Sequence, residues 1–174
     1  MANHLEQLVA EWYEYRGYLI QRNVRVGPRR NGGHECELDV IAFNPRTQHL
    51  VQIEPSADTN KQSVRESRYR KKFDAGKKYI PSLFAGLTIP TDIEQIGVFL
   101  YGASKPGIAG GRMMLVSELL AEIMTALKGV SISKKAVSEN FPLLRTLQLA
   151  SEFRNNITPI WSAPPQPRGK KPRP

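Results

Sequence analysis

Along residues 3–16 the apolar side chains fall at Leu5, Leu8, Val9, Trp12 and Tyr13. Spacings of three, four, seven and eight place them on one helical face. Asn3 followed by Glu6 has the form of a capping box, and Gly17 supplies the stop. A strand with an irregular pattern is predicted from Tyr18 to Val26, then a basic turn over residues 27–33. Two short apolar runs follow, residues 36–43 and 49–54, separated by Asn44-Pro45-Arg46-Thr47, and both read as buried strands. Pro55 lacks a donor for a sheet ladder and is expected to end the second run at an edge or bulge.

A long polar helix is predicted over residues 60–79, a strand over 96–101, a glycine-rich loop over 102–111 and a short strand over 113–116. Ser117 is placed to cap a helix whose apolar face is Leu119, Leu120, Ile123, Met124 and Leu127. A last helix is predicted over 138–154, with Pro142 near its first turn. From Thr158 onward proline and basic residues dominate, which predicts disorder. The expectation is one α/β domain over residues 1–157, a mixed central sheet flanked by helices, and a basic tail over 158–174.

Composition narrows the setting. No run approaches the roughly 18 apolar residues of a membrane span, the first residues lack the form of a signal peptide, and Cys36 stands alone. A cytoplasmic protein without a disulfide framework is expected, and no membrane partner. The formal charge is +9, from 25 basic and 16 acidic residues. Four of those positive charges, Arg168, Lys170, Lys171 and Arg173, lie in the last dozen residues, which hold no acid. A basic domain draws polyanions by long-range attraction.

The chemistry concentrates in the two apolar strands. Alternation sets Glu37 and Asp39 on one face of the first and Gln52 and Glu54 on one face of the second. Three carboxylates and an amide are thereby expected to converge. An ionised carboxylate in a strand core costs several kcal/mol unless it is paired or holds a metal, so a divalent cation is the natural partner. The polar helix carries Lys61, Arg65, Arg68, Lys71 and Lys72 against few acids, and Arg29 and Arg30 precede the acidic strand. All seven are candidates to follow a nucleic-acid backbone, where phosphate contacts position without reading sequence. His4, His34 and His49 show no metal-ligand spacing, and residues 107–111 lack the Lys-Ser/Thr of a phosphate loop.

This order of elements, with Glu6 on the first helix and the two acidic strands, resembles the PD-(D/E)XK nuclease superfamily. It is most similar to the small endonuclease-like members whose second strand reads Gly-Glu-Ile-Asp-Leu-Ile-Ala; the matching text is Cys36-Glu37-Leu38-Asp39-Val40-Ile41-Ala42. Arg22-Asn23-Val24-Arg25 after Gly17-Tyr18 looks like the family's first strand, and the family's helix-one glutamate falls on Glu6. The likeness covers residues 5–57, thins towards Tyr101 and stops there.

The resemblance implies a restriction-endonuclease-like core with Asp39, Gln52, Glu54, Glu6 and Glu37 as catalytic residues. It implies Mg²⁺ or Mn²⁺ held by Asp39, Glu54 and Gln52, and action on DNA phosphodiesters; oligomeric state stays open, a dimer among the options. The departure is the lysine of the acid-x-Lys motif, whose place is taken by Glu54 in one register and Ser56 in the other. Lys61, Lys71 and Lys72 on the following helix are the available substitutes. An inert nucleic-acid-binding protein on the same fold is the alternative.

Overall fold

The structure, a computed structural model, describes residues 4–58, 60–102 and 107–162, with side chains as far as residue 159. Helix α1 (His4–Tyr15) leads into strands β1 (Leu19–Pro28), β2 (His34–Asn44) and β3 (His49–Ser56), followed by helix α2 (Gln62–Leu83) and strand β4 (Glu94–Phe99). Two short strands, β5 (Gly107–Ile108) and β6 (Gly111–Leu115), precede helices α3 (Val116–Leu127), α4 (Pro142–Glu152) and α5 (Arg154–Ser162). The six strands form one open mixed sheet in the order β1-β2-β3-β4-β6-β5. The first three run antiparallel, β4 lies parallel to β3 and to β6, and β5 is antiparallel to β6. Among the described residues no helix is long and apolar enough to cross a membrane.

Alternation decides the two faces. Val51 and Ile53 of β3, with Ile96 and Val98 of β4, pack beneath α1, α3 and α4, against Val9, Trp12, Leu119, Ile123 and Leu144. Leu50 points the other way, into a cluster under α2 with Ile41, Phe43, Ala75 and Ile80. The polar helix α2 holds to the sheet because Tyr69, Phe73, Gly76 and Ile80, at spacings of four, three and four, are buried. In β2 the alternation slips: Leu38 lies with Ile41 and Phe43, whereas Val40 and Ala42 lie on the α1 side. That break falls at Asp39.

Several boundaries differ from expectation for identifiable reasons. Strand β3 runs through Pro55 to Ser56, because its ladder with β2 stops at Val40↔Ile53 and it is thereafter paired only with β4. That is the one-sided setting in which a strand admits proline. Residues 107–108, expected as loop, form β5. Leu115 rather than Ser117 precedes α3, and Glu118 accepts its backbone N–H at 2.6 Å. The single helix expected over 138–154 is α4 and α5, and α5 runs past residue 158 to Ser162. The basic segment 163–174 lies outside the described residues.

Glu11 ties the helical layer together. Its side chain is buried, and Oε2 accepts the N–H groups of Leu143 and Leu144 at 2.9 and 3.0 Å. It thus satisfies two of the unpaired donors at the start of α4.

Candidate active site

Three elements converge at the end of β3 next to α2. Glu54 and Gln52 project from the α2 face of β3, Asp39 from the slip in β2, and Lys72 from the middle of α2. The Lys72 ammonium donates to Asp39 Oδ1 at 2.6 Å and to Glu54 Oε2 at 2.5 Å. Side-chain exposure is 20 % for Lys72, 13 % for Asp39 and 1 % for Glu54. The two carboxylates therefore approach within about two hydrogen-bond lengths, with one cation between them.

A layer of amides fixes this arrangement from behind. Gln52 Nε2 donates to Glu54 Oε1 at 2.8 Å and to the Lys72 carbonyl at 3.0 Å, while its Oε1 accepts from Gln95 Nε2 at 2.7 Å. Gln95 also donates to the Phe73 carbonyl at 2.7 Å. Gly76 makes this approach of α2 to β3 feasible, since a Cβ there would stand 1.9 Å from Gln52 Oε1. Tyr69 Oη donates to the Glu54 carbonyl at 2.8 Å.

Burial and charge act on these groups in opposite senses. Burial pushes the Glu54 carboxyl up from its ordinary range and the Asp39 charge adds to that, against the pull of the Lys72 ammonium. Burial would lower Lys72, but the two carboxylates outweigh it and hold the ammonium above its usual value. Two acids sharing one base leave the cluster with an excess of negative charge when all three are ionised.

In front of the cluster lies a cleft of about 230 Å³, lined by Glu6, Asp39, Pro55, Ser56, Arg68, Tyr69 and Lys72. Its rim is braced by Asp58. Burial raises the Asp58 carboxyl, but hydrogen bonds from Ser56, the Asn60 amide, Arg68 and Arg65 prevail and hold it well below the usual aspartate range. Arg68 bonds Ser56 Oγ at 2.9 Å and pairs with Asp58.

The candidates from the sequence thus separate. Asp39, Glu54 and Lys72 meet, Glu6 joins the cleft wall, and Arg68 stands at its rim. Gln52 is adjacent, but its carbonyl oxygen is committed to Gln95 and faces away from the cleft side of Glu54. Glu37 does not join them: the slip in β2 turns it outward, where it pairs with Arg25 at 3.1 Å. Arg65 is buried, stacked over Phe99 at 4.8 Å and bonded to Asp58 and the Tyr101 carbonyl, so it braces the fold instead of facing a ligand. Lys71 lines a neighbouring groove with Ser63, Ser67 and Arg68. Lys61 is exposed just before α2, and Arg29 and Arg30 are exposed in the β1–β2 turn.

Gln95 and Asp58 carried no signal in the sequence beyond their polarity next to a strand. Among the described residues no three His, Cys, Asp or Glu side chains stand together as a metal cluster. The donors that do converge are two hard carboxylate oxygens with a cation already between them, the chemistry that Mg²⁺ takes when water or phosphate completes its shell. Compared with protein-family models, known proteins and solved structures, the chain matches none.

Proposed function

We infer that this chain is a divalent-cation-dependent, endonuclease-like phosphodiesterase of the PD-(D/E)XK type acting on DNA. The observation that carries this is the Lys72 ammonium between Asp39 and Glu54. The strand motif lacks its lysine, and α2 delivers one to the same two acids. The order of α1, the antiparallel β1–β3 meander, α2 and the parallel β4 agrees with a restriction-endonuclease-like core.

Asp39 and Glu54 are the residues that would hold Mg²⁺ or Mn²⁺; Gln52, bonded to Gln95, is left out of that set. Such an ion, when bound, activates water and neutralises charge on the phosphoryl group. Lys72, once it yields the two acids to the ion, would bring a permanent positive charge to the phosphoryl oxygen on which negative charge grows as water adds to phosphorus and the bridging P–O bond breaks. Arg68 at the rim and Lys71 in the adjoining groove lie on the path of a backbone that enters the cleft, contacts that position a duplex without reading its sequence. Glu6 adds a carboxylate from α1 to the cleft wall.

Incubation with supercoiled plasmid and Mg²⁺ or Mn²⁺ tests this. Nicking is expected, and Asp39→Ala is expected to reduce it by about 10²- to 10³-fold. Cleavage that persists in Asp39→Ala sinks the site assignment. A second reading, an inert DNA-binding protein, draws support from the closed network in which both Glu54 oxygens are engaged. Salt-sensitive retention of DNA with no cleavage would favour it.

A further inference from the structure

We propose that Lys72 occupies the cation position of this site until a phosphodiester enters the cleft, so that divalent cation and DNA bind cooperatively. This builds on the cation-site reading above. The ammonium contacts Asp39 Oδ1 and Glu54 Oε2, the two oxygens that face each other. A Mg²⁺ ligated by the same oxygens at about 2.0–2.1 Å would lie where that nitrogen lies. Two cations a few ångströms apart in a partly desolvated site repel strongly, so occupancy by one excludes the other.

Glu54 has no alternative oxygen to offer. Its Oε1 is held by Gln52, and Gln52 is held in turn by Gln95 and by the α2 backbone. Rotating the carboxylate would break a buried amide network, and Gly76 shows how closely that network is packed against α2. The exchange must therefore come from Lys72. Its side chain lines the cleft, with Ser56 and Arg68 beside it, and it retains some exposure.

An ammonium displaced from two carboxylates needs a new anion. Asp58 at the rim is already paired with Arg65 and Arg68, and Glu6 on the cleft wall is present with or without DNA, so the anion that would make the exchange depend on DNA is one that DNA brings. A phosphate oxygen in the cleft is that acceptor. The cation alone must move Lys72 out towards Glu6 or water, whereas cation and phosphate together give the displaced ammonium a new anion at the site itself. By linkage, each ligand then strengthens the other by the same factor.

Mn²⁺ titration of the full chain, followed by calorimetry or by the Mn²⁺ spin signal, reads this coupling without turnover. It is run alone and with a phosphorothioate DNA duplex, which resists hydrolysis, and Asp39→Asn provides the background from Mn²⁺ on DNA. The duplex is expected to tighten Mn²⁺ binding by about tenfold or more, within the usual range of coupling between sites. Lys72→Met is expected to bind Mn²⁺ tightly without DNA, with coupling reduced to less than about twofold. Should Lys72→Met fail to fold by near-ultraviolet circular dichroism, Lys72→Gln takes its place with the same expectation, and coupling that stays at the wild-type level in the folded variant overturns the role of Lys72.

Equal Mn²⁺ affinity with and without the duplex, abolished in both cases by Asp39→Asn, overturns the role of Lys72 and leaves the cation site standing. Absence of Asp39-dependent Mn²⁺ binding in wild type under both conditions overturns the cation site as well.

Discussion

Strand β3 carries a charged cluster at each end, and the two could hardly differ more in setting. At its start His49 Nε2 meets Glu94 Oε2 at 2.9 Å, and Tyr18 Oη bonds His49 Nδ1 at 2.8 Å. That cluster opens on a cleft of about 1010 Å³ walled by Trp12, Tyr13 and Tyr15. At its end Glu54 shares the Lys72 ammonium with Asp39 beside a cleft of only about 230 Å³. The larger cavity accompanies the weaker electrostatics. His49 and Glu94 keep 38 % and 35 % of their side chains in water, where a polar pair contributes little. Glu54 keeps 1 %, so its charge depends on its partners. Convergence and desolvation, not cavity size, distinguish the end of β3 and carry the function proposed for it.

The largest effect should come from removing the shared cation. Lys72→Met leaves two carboxylates facing each other, one fully buried, and is expected to cost about 3–5 kcal/mol in denaturant unfolding. A loss below about 1 kcal/mol would mean that the β3 terminus is no more demanding than its exposed start.

An intermediate effect should follow pH at the rim. The folded state holds Asp58 below its ordinary range, so it favours the ionised form. The resulting stabilisation is complete above about pH 4, the unfolded range of aspartate, and is lost as pH falls from there through the folded value. The difference in unfolding free energy between wild type and Asp58→Asn should thus be steady near pH 6 and shrink progressively below about pH 4. A difference that stays constant into strong acid would show that the Ser56 and arginine contacts do not act through the Asp58 charge.

The smallest effect is expected at the other end of the strand. His49→Ala removes one exposed pair and one hydrogen bond to Tyr18, at a cost of about 1 kcal/mol or less in the same denaturant assay. A loss comparable to that of Lys72→Met would erase the distinction between the two ends.

Much of the architecture is legible in the chain. The spacing of Leu5, Val9 and Trp12 gives α1, because burial of one face imposes the helical period, and the apolar runs around Val40 and Val51 give two central strands, because both of their faces are covered. Ends are less legible: Pro55 reads as a terminator, yet β3 continues to Ser56 because it is paired there only with β4, a one-sidedness that a single sequence does not record. Asp39, Glu54 and Glu6 stood out as acids in apolar or capping contexts, and Lys72 was one of three lysines able to reach them.

Sequence by itself determined the apolar residues of the core and the positions of charge, because hydrophobic period and residue chemistry are local properties; that Glu11 and Arg65 are charged and yet buried was not among them. Tertiary structure alone decided which charges meet. A slip in β2 turns Asp39 towards α2 and leaves Glu37 outside with Arg25. The β3–β4 register sets Gln52 beside Gln95, and the close approach at Gly76 seats α2 on Gln52 so that Lys72, and not Lys61 or Lys71, reaches the two acids. Those choices depend on contacts between elements far apart in the chain, where an ångström of offset changes the partner and no local pattern records the offset.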